Sequence, residues 1–324
     1  MSPIDSSRSR WKSVLAWFQL ARLSATPSAV TNILVGYLIV HADWSPGWQV
    51  LALIVSSVSL YSLGMISNDL FDVERDRQTG RRRPLVEGRI SIRAAVIACL
   101  ILLAVAWIAA GLVGPASLSI ALALSVSIYL YNGPFKATWF GPGLMGLCRG
   151  LNVLLGAGAI AVSWSDVAGE GIQPLIEASA SAWWPTGIWI SGSLMILIAG
   201  ITVLARDEAT GGNRGSVIGG IVGIALGWIG LAGTYRLPLA SPQFAPRFPW
   251  LMALLAVPLV PRFLKTAIDP QPKRIQGSVI AMLRSLIPLD AALALLLTGR
   301  MAPALWVLAW WIPSWWLSRR VSST

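Results

Sequence analysis

Long apolar runs recur along the whole chain, and they constrain its fold more than any other feature. Hydrophobic residues make up 55% of the 324 residues and charged residues only 12%, against roughly 25% charged residues in ordinary soluble domains. A membrane-crossing helix needs about 20 apolar residues. Runs of this kind follow one another with short connections, so no segment is left for a separate water-soluble domain. The sequence therefore predicts an all-α, polytopic membrane protein.

The number of membrane spans is predicted to be nine or ten. The last apolar run is short and contains Pro303 and Pro313, and proline interrupts helices. The predicted spans cover residues 22–41, 49–69, 92–113, 115–132, 140–163, 184–205, 216–234, 249–264, 277–298 and 302–317. They form one membrane domain over residues 22–318.

Residues 1–21 are predicted to be an interfacial segment that precedes the first span. Trp11, Val14, Leu15 and Phe18 share one face of a helix, which is typical of a helix that lies on a membrane surface. Arg22 interrupts the apolar stretch, and no small-residue cleavage pattern follows it. A cleavable signal peptide is therefore not expected.

The basic residues lie mainly in the connections between apolar runs. Lys and Arg number 25 against 14 Asp and Glu, and loops rich in Lys and Arg normally stay in the cytoplasm. A cytoplasmic N-terminus places only Arg236, Arg247 and Arg300 outside. We therefore expect a bacterial inner-membrane protein whose N-terminus is cytoplasmic. The excess of positive charge then indicates a lipid bilayer as partner, rather than a nucleic acid.

Histidine and cysteine chemistry is excluded by counting. His41 is the only histidine, and Cys99 and Cys148 are the only cysteines, both inside apolar runs. Histidine-based catalytic triads and metal sites with several histidines are thus excluded, and a zinc site or a disulfide is a poor interpretation.

Acidic residues concentrate at the end of the second predicted span, in the string NDLFDVERD that begins at Asn68. On a helix that advances 100° per residue, Asp69, Asp72 and Asp76 lie within an arc of about 60°, and Asn68 borders that face. Aligned carboxylates repel one another unless a cation lies among them. Oxygen ligands favour Mg²⁺, which commonly also binds substrate phosphates.

Arginines follow this acidic face directly, from Arg77 to Arg83. Carboxylate-bound Mg²⁺ beside arginines such as Arg82 and Arg83 would form a receptor for a diphosphate. The alternative is a solvated, salt-bridged helix end. That alternative accounts for the arginines, but it does not account for three aspartates on one face.

The string NDLFDVERDRQTGRRRPLVEGRIS resembles the first aspartate-rich motif of the UbiA superfamily of intramembrane prenyltransferases. Arg22 and Pro27-Ser28 resemble the start of that family's first span. Tyr131, Pro134, Lys136 and Thr138 resemble its tyrosine–lysine loop. Residues 146–152, GLCRGLN, resemble its fifth span, particularly in the EboC-like branch.

The resemblance implies a bundle of about nine helices around a central cavity that opens sideways to lipid. It also implies two cytoplasmic aspartate-rich loops that hold Mg²⁺ and a prenyl diphosphate, whose allylic carbocation is captured by an aromatic or other lipophilic acceptor. Mg²⁺ would bind Asp69, Asp72 and Asp76. The diphosphate would be bound by Asn68, Arg82, Arg83, Lys136 and Arg149.

The second aspartate-rich motif departs from the family pattern of two aspartates three or four positions apart. The corresponding carboxylates are the neighbours Asp207 and Glu208, which point about 100° apart on a helix. We expect both as metal ligands, with Asp207 also near the diphosphate. The alternative is that they only cap the sixth span.

Three further charges leave alternatives open. Lys136 and Arg149 would bind phosphate or anchor their segments by reaching the membrane surface. Asp290 lies deep in a predicted span, where an acid is costly and either functional or paired across helices. Arg284 lies six residues earlier and does not share its face, so a partner on another helix is expected.

Three functions remain open from the sequence. The first is a Mg²⁺-dependent prenyltransferase. The second is a non-catalytic relative that binds or moves a lipophilic intermediate, suggested by the reduced second motif. The third is an unrelated transporter with inverted repeats, which fits poorly because Asp69 and Asp207 are predicted on the same membrane side.

Overall fold

The computed structural model describes residues 14–179, 183–206, 208 and 213–321, and within these ranges it contains helices and no strands. Helix α1 covers residues 14–20. The remaining helices are α2 Thr26–Val40, α3 Gly47–Gln78, α4 Ile92–Val113, α5 Pro115–Leu130, α6 Gly141–Ala157, α7 Trp164–Glu170, α8 Gln173–Ser179, α9 Trp183–Arg206, α10 Arg214–Ala232, α11 Phe248–Ala256, α12 Val260–Ile268, α13 Pro272–Thr298, α14 Met301–Ala309 and α15 Trp311–Val321.

Seven helical stretches in the described residues are long and apolar enough to cross a membrane. An eighth crossing arises if Ala245–Ala256 and Val260–Ile268, which meet at a bend of 47°, form one broken span. The all-α, multi-pass membrane architecture is thereby confirmed. The count of nine or ten stays a prediction, because α6 has only 17 residues and the last predicted span is divided into α14 and α15.

Helix α3 is the element that positions the acidic motif. Its 32 residues make it about 48 Å long, whereas a bilayer's hydrocarbon core is about 30 Å thick. The helix therefore continues past the predicted end at residue 69. Its last turns carry the whole acidic string beyond the apolar part of the bundle as regular helix.

Small residues allow the central helices to approach closely. A Cβ atom on Gly156 of α6 would lie 2.5 Å from the carbonyl oxygen of Ile33 in α2, and one on Gly220 of α10 would lie 2.9 Å from the backbone nitrogen of Leu204 in α9. Such contacts between backbones stabilise helix pairs in membranes, where hydrophobicity alone does not drive association. They hold α6 close to α2 and α10 close to α9.

Helix α1 lies along the bundle with one side turned inwards. Ala16 and Leu20 are buried against Ile66 and Leu85, while Val14 and Phe18 are both 41% exposed. The exposed apolar side is the one that the sequence assigns to the membrane surface. Trp11 lies outside the described residues.

We expect Gly156→Ala to destabilise the protein by about 1–3 kcal/mol, the usual cost of overpacking. Gly143→Ala is the matched control on the same helix, since nothing lies within 4 Å of its added Cβ. Alanine there gains helix propensity. Thermal unfolding in detergent, followed by tryptophan fluorescence, measures both; equal melting temperatures would contradict the close α2–α6 approach.

Candidate active site

Three carboxylates lie on the inward face at the end of α3. Asp69, Asp72 and Asp76 are all buried, whereas Phe71 and Glu74 between them are exposed. The predicted common face is therefore present in the structure. Buried carboxylates are costly unless cations or hydrogen-bond donors compensate them, so their neighbours define the site.

Arg83 compensates two of the three carboxylates. It pairs with Asp69, and its Nε lies 3.0 Å from Asp76 Oδ2. Arg83 follows a turn at Gly80, whose φ of +69° is in the left-handed region that favours glycine. This turn ends α3 and folds the arginine loop back onto the acidic face.

Lys136 compensates the third carboxylate. Its Nζ donates to Asn68 Oδ1 at 2.6 Å and pairs with Asp72, which Arg75 also approaches to 3.0 Å. Burial lowers the pKa of Lys136 from its ordinary value, while Asp72 opposes that shift. The Lys136 side chain therefore lies at the acidic face, and its binding to a diphosphate stays a prediction.

A π-helical turn at Tyr131–Phe135 brings Lys136 to α3. Within it, Asn132 Nδ2 donates to the Gly64 carbonyl oxygen at 3.0 Å and to Ser67 Oγ at 2.8 Å. These bonds fix the turn to α3 one helical turn before the acidic string. Irregular helical turns of this kind are frequent at functional sites.

A cavity of about 620 Å³ adjoins the acidic face, in the size range of ligand pockets. Its lining includes Arg75, Tyr131, Lys136, Thr202 and Arg206. Arg206 Nη2 donates to the carbonyl oxygens of Lys136 and Thr138, at 2.8 and 2.6 Å. Arg206 thereby ties the end of α9 to the lysine turn, a role that sequence reasoning missed because the pattern indicated only a helix end.

Arg22 is a second contact that the sequence did not assign to the acidic face. Its Nη2 lies 3.7 Å from Asp69 Oδ1, and its φ of +46° is unusual for a residue other than glycine. The turn between α1 and α2 therefore holds a strained arginine at the site. Its position just before the first span was the available signal.

Arg82 and Arg149, which the sequence also assigns to the diphosphate, lie away from the three carboxylates. Arg82 is exposed and has no ion pair with any residue that the structure describes. Arg149 donates to the carbonyl oxygen of Ser28 at 2.8 Å. Neither contacts the three carboxylates, and their assignment to the diphosphate stays a prediction.

Asp290 finds partners on another helix, as expected. Thr31 Oγ1 donates to it at 2.5 Å and Asn32 Nδ2 at 2.9 Å, and Asp290 is only 2% exposed. These bonds join α13 to α2. Asp290 is therefore separate from the carboxylates of α3.

The second acidic motif is only partly described. Asp207 lies outside the described residues, and Glu208 is half-buried just beyond α9. Asn213 caps α10, since its Oδ1 accepts a hydrogen bond from the Gly215 backbone nitrogen at 3.0 Å. The metal-binding role of Asp207 and Glu208 stays a prediction.

The chemistry of the α3 residues fits a hard divalent cation. All three donors are carboxylates, and both Asp76 oxygens are buried without a hydrogen bond, although Arg83 and Arg81 lie nearby. Among the residues described, no three acidic, histidine or cysteine side chains converge on one point. In this structure Lys136 and Arg83 form ion pairs with the carboxylates and supply the positive charge that compensates them.

Comparison with known proteins then gives the family. Residues 29–214 match the profile of the UbiA prenyltransferase family. The chain belongs to this family. The matched region includes the whole acidic string, the arginine loop and the lysine turn.

Individual relatives agree with this assignment. A digeranylgeranylglyceryl phosphate synthase of Sulfurisphaera tokodaii is 34% identical over 126 residues, which cover 38% of this chain and 45% of the synthase. The chain thus matches less than half the length of this curated relative. The shared segment supports the family rather than a particular substrate.

Solved structures extend the fold comparison over nearly the whole chain. A digeranylgeranylglyceryl phosphate synthase structure has a TM-score of 0.62 at 17% identity, covering 93% of this chain and 98% of the synthase. A UbiA homologue of Archaeoglobus fulgidus bound to GPP and Mg²⁺ has a TM-score of 0.59 at 18% identity, covering 91% and 99%. At such identities the comparison shows a common fold.

We expect Arg83→Gln to destabilise the metal-free protein by about 3 kcal/mol, because it removes the nearest cation from two buried carboxylates. Arg82→Gln is the matched control, since Arg82 is exposed and adjacent in sequence. Chemical denaturation in detergent with a chelator measures both. An equally small effect of the two variants would show that Arg83 is not what compensates the acidic face.

Proposed function

We propose that the protein transfers a prenyl group from a prenyl diphosphate to a lipophilic acceptor within the membrane, with Mg²⁺ as cofactor. The observation that carries this proposal is the buried carboxylate face of α3, with Lys136 and Arg83 against it, beside a cavity of about 620 Å³. An acidic face alone would bind a cation. Acids and bases together suit a metal–diphosphate complex.

Relatives support the cofactor and the donor. The UbiA homologue of Archaeoglobus fulgidus has been solved with GPP and Mg²⁺ and also with DMAPP and Mg²⁺. In this chain, Asp69, Asp72 and Asp76 would hold one Mg²⁺, and Asp207 and Glu208 would complete a second site. Bound Mg²⁺ would neutralise the charge that develops on the departing diphosphate.

The cations at the acidic face would have two roles. Without a metal they neutralise the carboxylates, as Arg83 does for Asp69 and Asp76. With Mg²⁺ bound to the carboxylates, Lys136 and Arg83 would bind phosphate oxygens, together with the exposed Arg82. Asn68 would add a hydrogen bond and Arg149 would supply charge from the side of α6.

The transfer breaks the bond between the prenyl carbon and the diphosphate oxygen. The allylic carbon then bonds to the acceptor, an aromatic ring in our prediction, which loses a proton. Water would quench an allylic cation, so an apolar enclosure is required. The apolar interior of the bundle would provide that enclosure, and lipophilic substrates would enter it from the bilayer.

The proposed membrane orientation follows from charge. A cytoplasmic N-terminus in the inner membrane of a bacterium places the acidic face of α3 in the compartment that supplies diphosphates. It also places the arginine loop there, in agreement with the distribution of Lys and Arg.

The second candidate is a non-catalytic UbiA-like protein that binds or moves a lipophilic intermediate. The neighbouring carboxylates Asp207 and Glu208 favour it, because they replace the spaced pair that the family pattern would provide. The variants Asp72→Ala and Asp43→Ala, described next, separate the two functions.

We expect Asp72→Ala to lower Mg²⁺-dependent prenyl transfer by about 10²–10³-fold, the usual effect of removing one group that stabilises transition-state charge. Transfer of radiolabelled prenyl groups by the reconstituted protein measures this, with geranyl and longer prenyl diphosphates and a panel of aromatic and glycerol-based acceptors. Chelation of Mg²⁺ should abolish transfer by the unchanged protein.

Asp43→Ala is the control for the loss of a carboxylate, since Asp43 is exposed in the α2–α3 connection. It should retain full transfer. If folded, unchanged protein transfers nothing to any acceptor and Asp72→Ala still supports its cellular role, the non-catalytic function is correct.

A further inference from the structure

Arg149 lies in the middle of a helix, away from both of its ends. It is the ninth of the 17 residues of α6, about 12 Å beyond the start of that helix. The start of α6 lies against the lysine turn, because a Cβ atom on Gly141 would be 2.7 Å from the carbonyl oxygen of Lys136. A cation inside the apolar part of a membrane bundle is costly and is normally paired. Its partners therefore indicate what it does.

Among the described residues, the protein provides one hydrogen-bond acceptor for Arg149. Its Nη2 donates to the carbonyl oxygen of Ser28 at 2.8 Å, and its Nε is buried without a hydrogen bond. No described carboxylate lies within ion-pair distance of it. The charge of Asp290 acts on Arg149, but Thr31 and Asn32 already bind that carboxylate. The Arg149 cation therefore keeps donors for an anion from outside the chain.

Tyr61 lies near Arg149 on the neighbouring helix α3. The Tyr61 side chain is half-buried, and the charges of Arg149 and Arg22 both act on it. Tyr61 precedes Asp72 by 11 residues, which places it within about 20° of the same helical face and about 16 Å deeper in the bundle. A phenolic hydroxyl can donate a hydrogen bond to an anion. The guanidinium and the hydroxyl therefore form a pair of donors below the acidic face.

Neighbouring hydrogen bonds fix this pair in place. Ser57, one turn before Tyr61, donates to Asn152 Oδ1 at 2.6 Å. Asn152, one turn after Arg149, donates to the carbonyl oxygen of Ala29 at 2.9 Å. These buried bonds join α3, α6 and α2. Donors that are already held in position lose little conformational freedom when a ligand binds.

Tyr131 lies near both this pair and the acidic face. It lines the cavity of about 620 Å³, and Asp72 and Arg22 act on it as nearby charges. Cys148, the residue before Arg149, is also close to it. The pair and the acidic face are thus two ends of one region inside the bundle. An aromatic molecule suits this separation when one substituent is held at Arg149 and its far edge faces the diphosphate.

We propose that Arg149 and Tyr61 bind an acidic group of the acceptor, and that the acceptor is a lipophilic aromatic carboxylic acid. This inference rests on the proposed prenyl transfer. The carboxylate accepts hydrogen bonds from the Arg149 guanidinium and the Tyr61 hydroxyl, and the aromatic ring extends from them towards the acidic face. A ring carbon then meets the allylic carbon, while the carboxylate takes no part in the transfer.

A carboxylate suits this pair better than a phosphate does. One guanidinium neutralises a single negative charge, whereas a phosphate monoester carries about 1.5–2 charges at pH 7. A guanidinium also binds a carboxylate through two parallel hydrogen bonds. The diphosphate stays with the metal and the cations of the acidic face. Arg149 does not contact that face, so it acts on the diphosphate only as a more distant charge.

Binding in the absence of a prenyl diphosphate tests the pair separately from catalysis. The probes are a hydroxynaphthoic acid and its primary amide, which share a shape and differ in charge, and calorimetric titration of the full-length protein in nanodiscs measures both. We expect the acid to bind at least about tenfold more tightly. Arg149→Gln should lower its affinity by about thirtyfold and leave that of the amide unchanged. Arg284→Gln, which removes an exposed arginine of α13, should change neither.

Transfer kinetics test the same pair during turnover. Arg149→Gln should raise KM for the acid by about thirtyfold and leave KM for geranyl diphosphate unchanged, whereas a general structural defect would change both. Arg149→Lys should restore part of the affinity for the acid. Tyr61→Phe should raise KM for the acid by about tenfold, and Tyr129→Phe, at an exposed position of α5, should not.

The possible outcomes separate this inference from the proposed function. Arg149-dependent binding of the acid without any prenyl transfer would support the carboxylate site and overturn the transfer. Equal use of the acid and the amide by the unchanged protein would overturn the site and leave the transfer. Recovery of acid binding when Asp290→Asn is added to Arg149→Gln would also overturn the site, because Arg149 would then only balance the charge of Asp290.

Discussion

The rest of the site depends on how the three buried carboxylates of α3 are compensated. A buried, unpaired carboxylate costs several kcal/mol, so a helix carrying Asp69, Asp72 and Asp76 on its inner face is stable only if cations are brought to it. Arg83 arrives on a loop that folds back, and Lys136 arrives on a π-helical turn. Arg206 then holds that turn through two backbone carbonyl groups. The loop and the π-helical turn thus bring positive charge to the buried carboxylates.

Asp290, which is buried like the α3 carboxylates, is compensated in a different way. Asp290 receives hydrogen bonds from Thr31 and Asn32, which are neutral donors, and it joins α13 to α2 within the bundle. Cations pair directly with the α3 carboxylates, whereas Asp290 is hydrogen-bonded by neutral donors and Arg149 acts on it only as a nearby charge. The first arrangement suits a site in which a metal and a diphosphate replace protein partners. The second suits a permanent connection between two helices.

The fold is shared by proteins whose sequences differ widely. Solved relatives at 17% and 18% identity share it over more than nine-tenths of the chain. Close backbone approaches at Gly156 and Gly220 set helix spacing without long side chains, and lipid-facing positions need only be apolar. Lipid-facing side chains can therefore change as long as they remain apolar.

The sequence by itself determined the membrane class, the helical architecture and the acidic face, because these follow from local periodicity: apolar runs of about 20 residues and aspartates spaced by three and four. It also indicated Lys136 and Arg83, through their resemblance to family motifs. Only the tertiary structure decided the pairs Arg83–Asp69 and Lys136–Asp72, the contacts of Arg22 and Arg206, and the bonds of Asp290 to α2. Those contacts join residues from 14 to 259 positions apart, and such separations are set by how the helices pack, which no local pattern encodes.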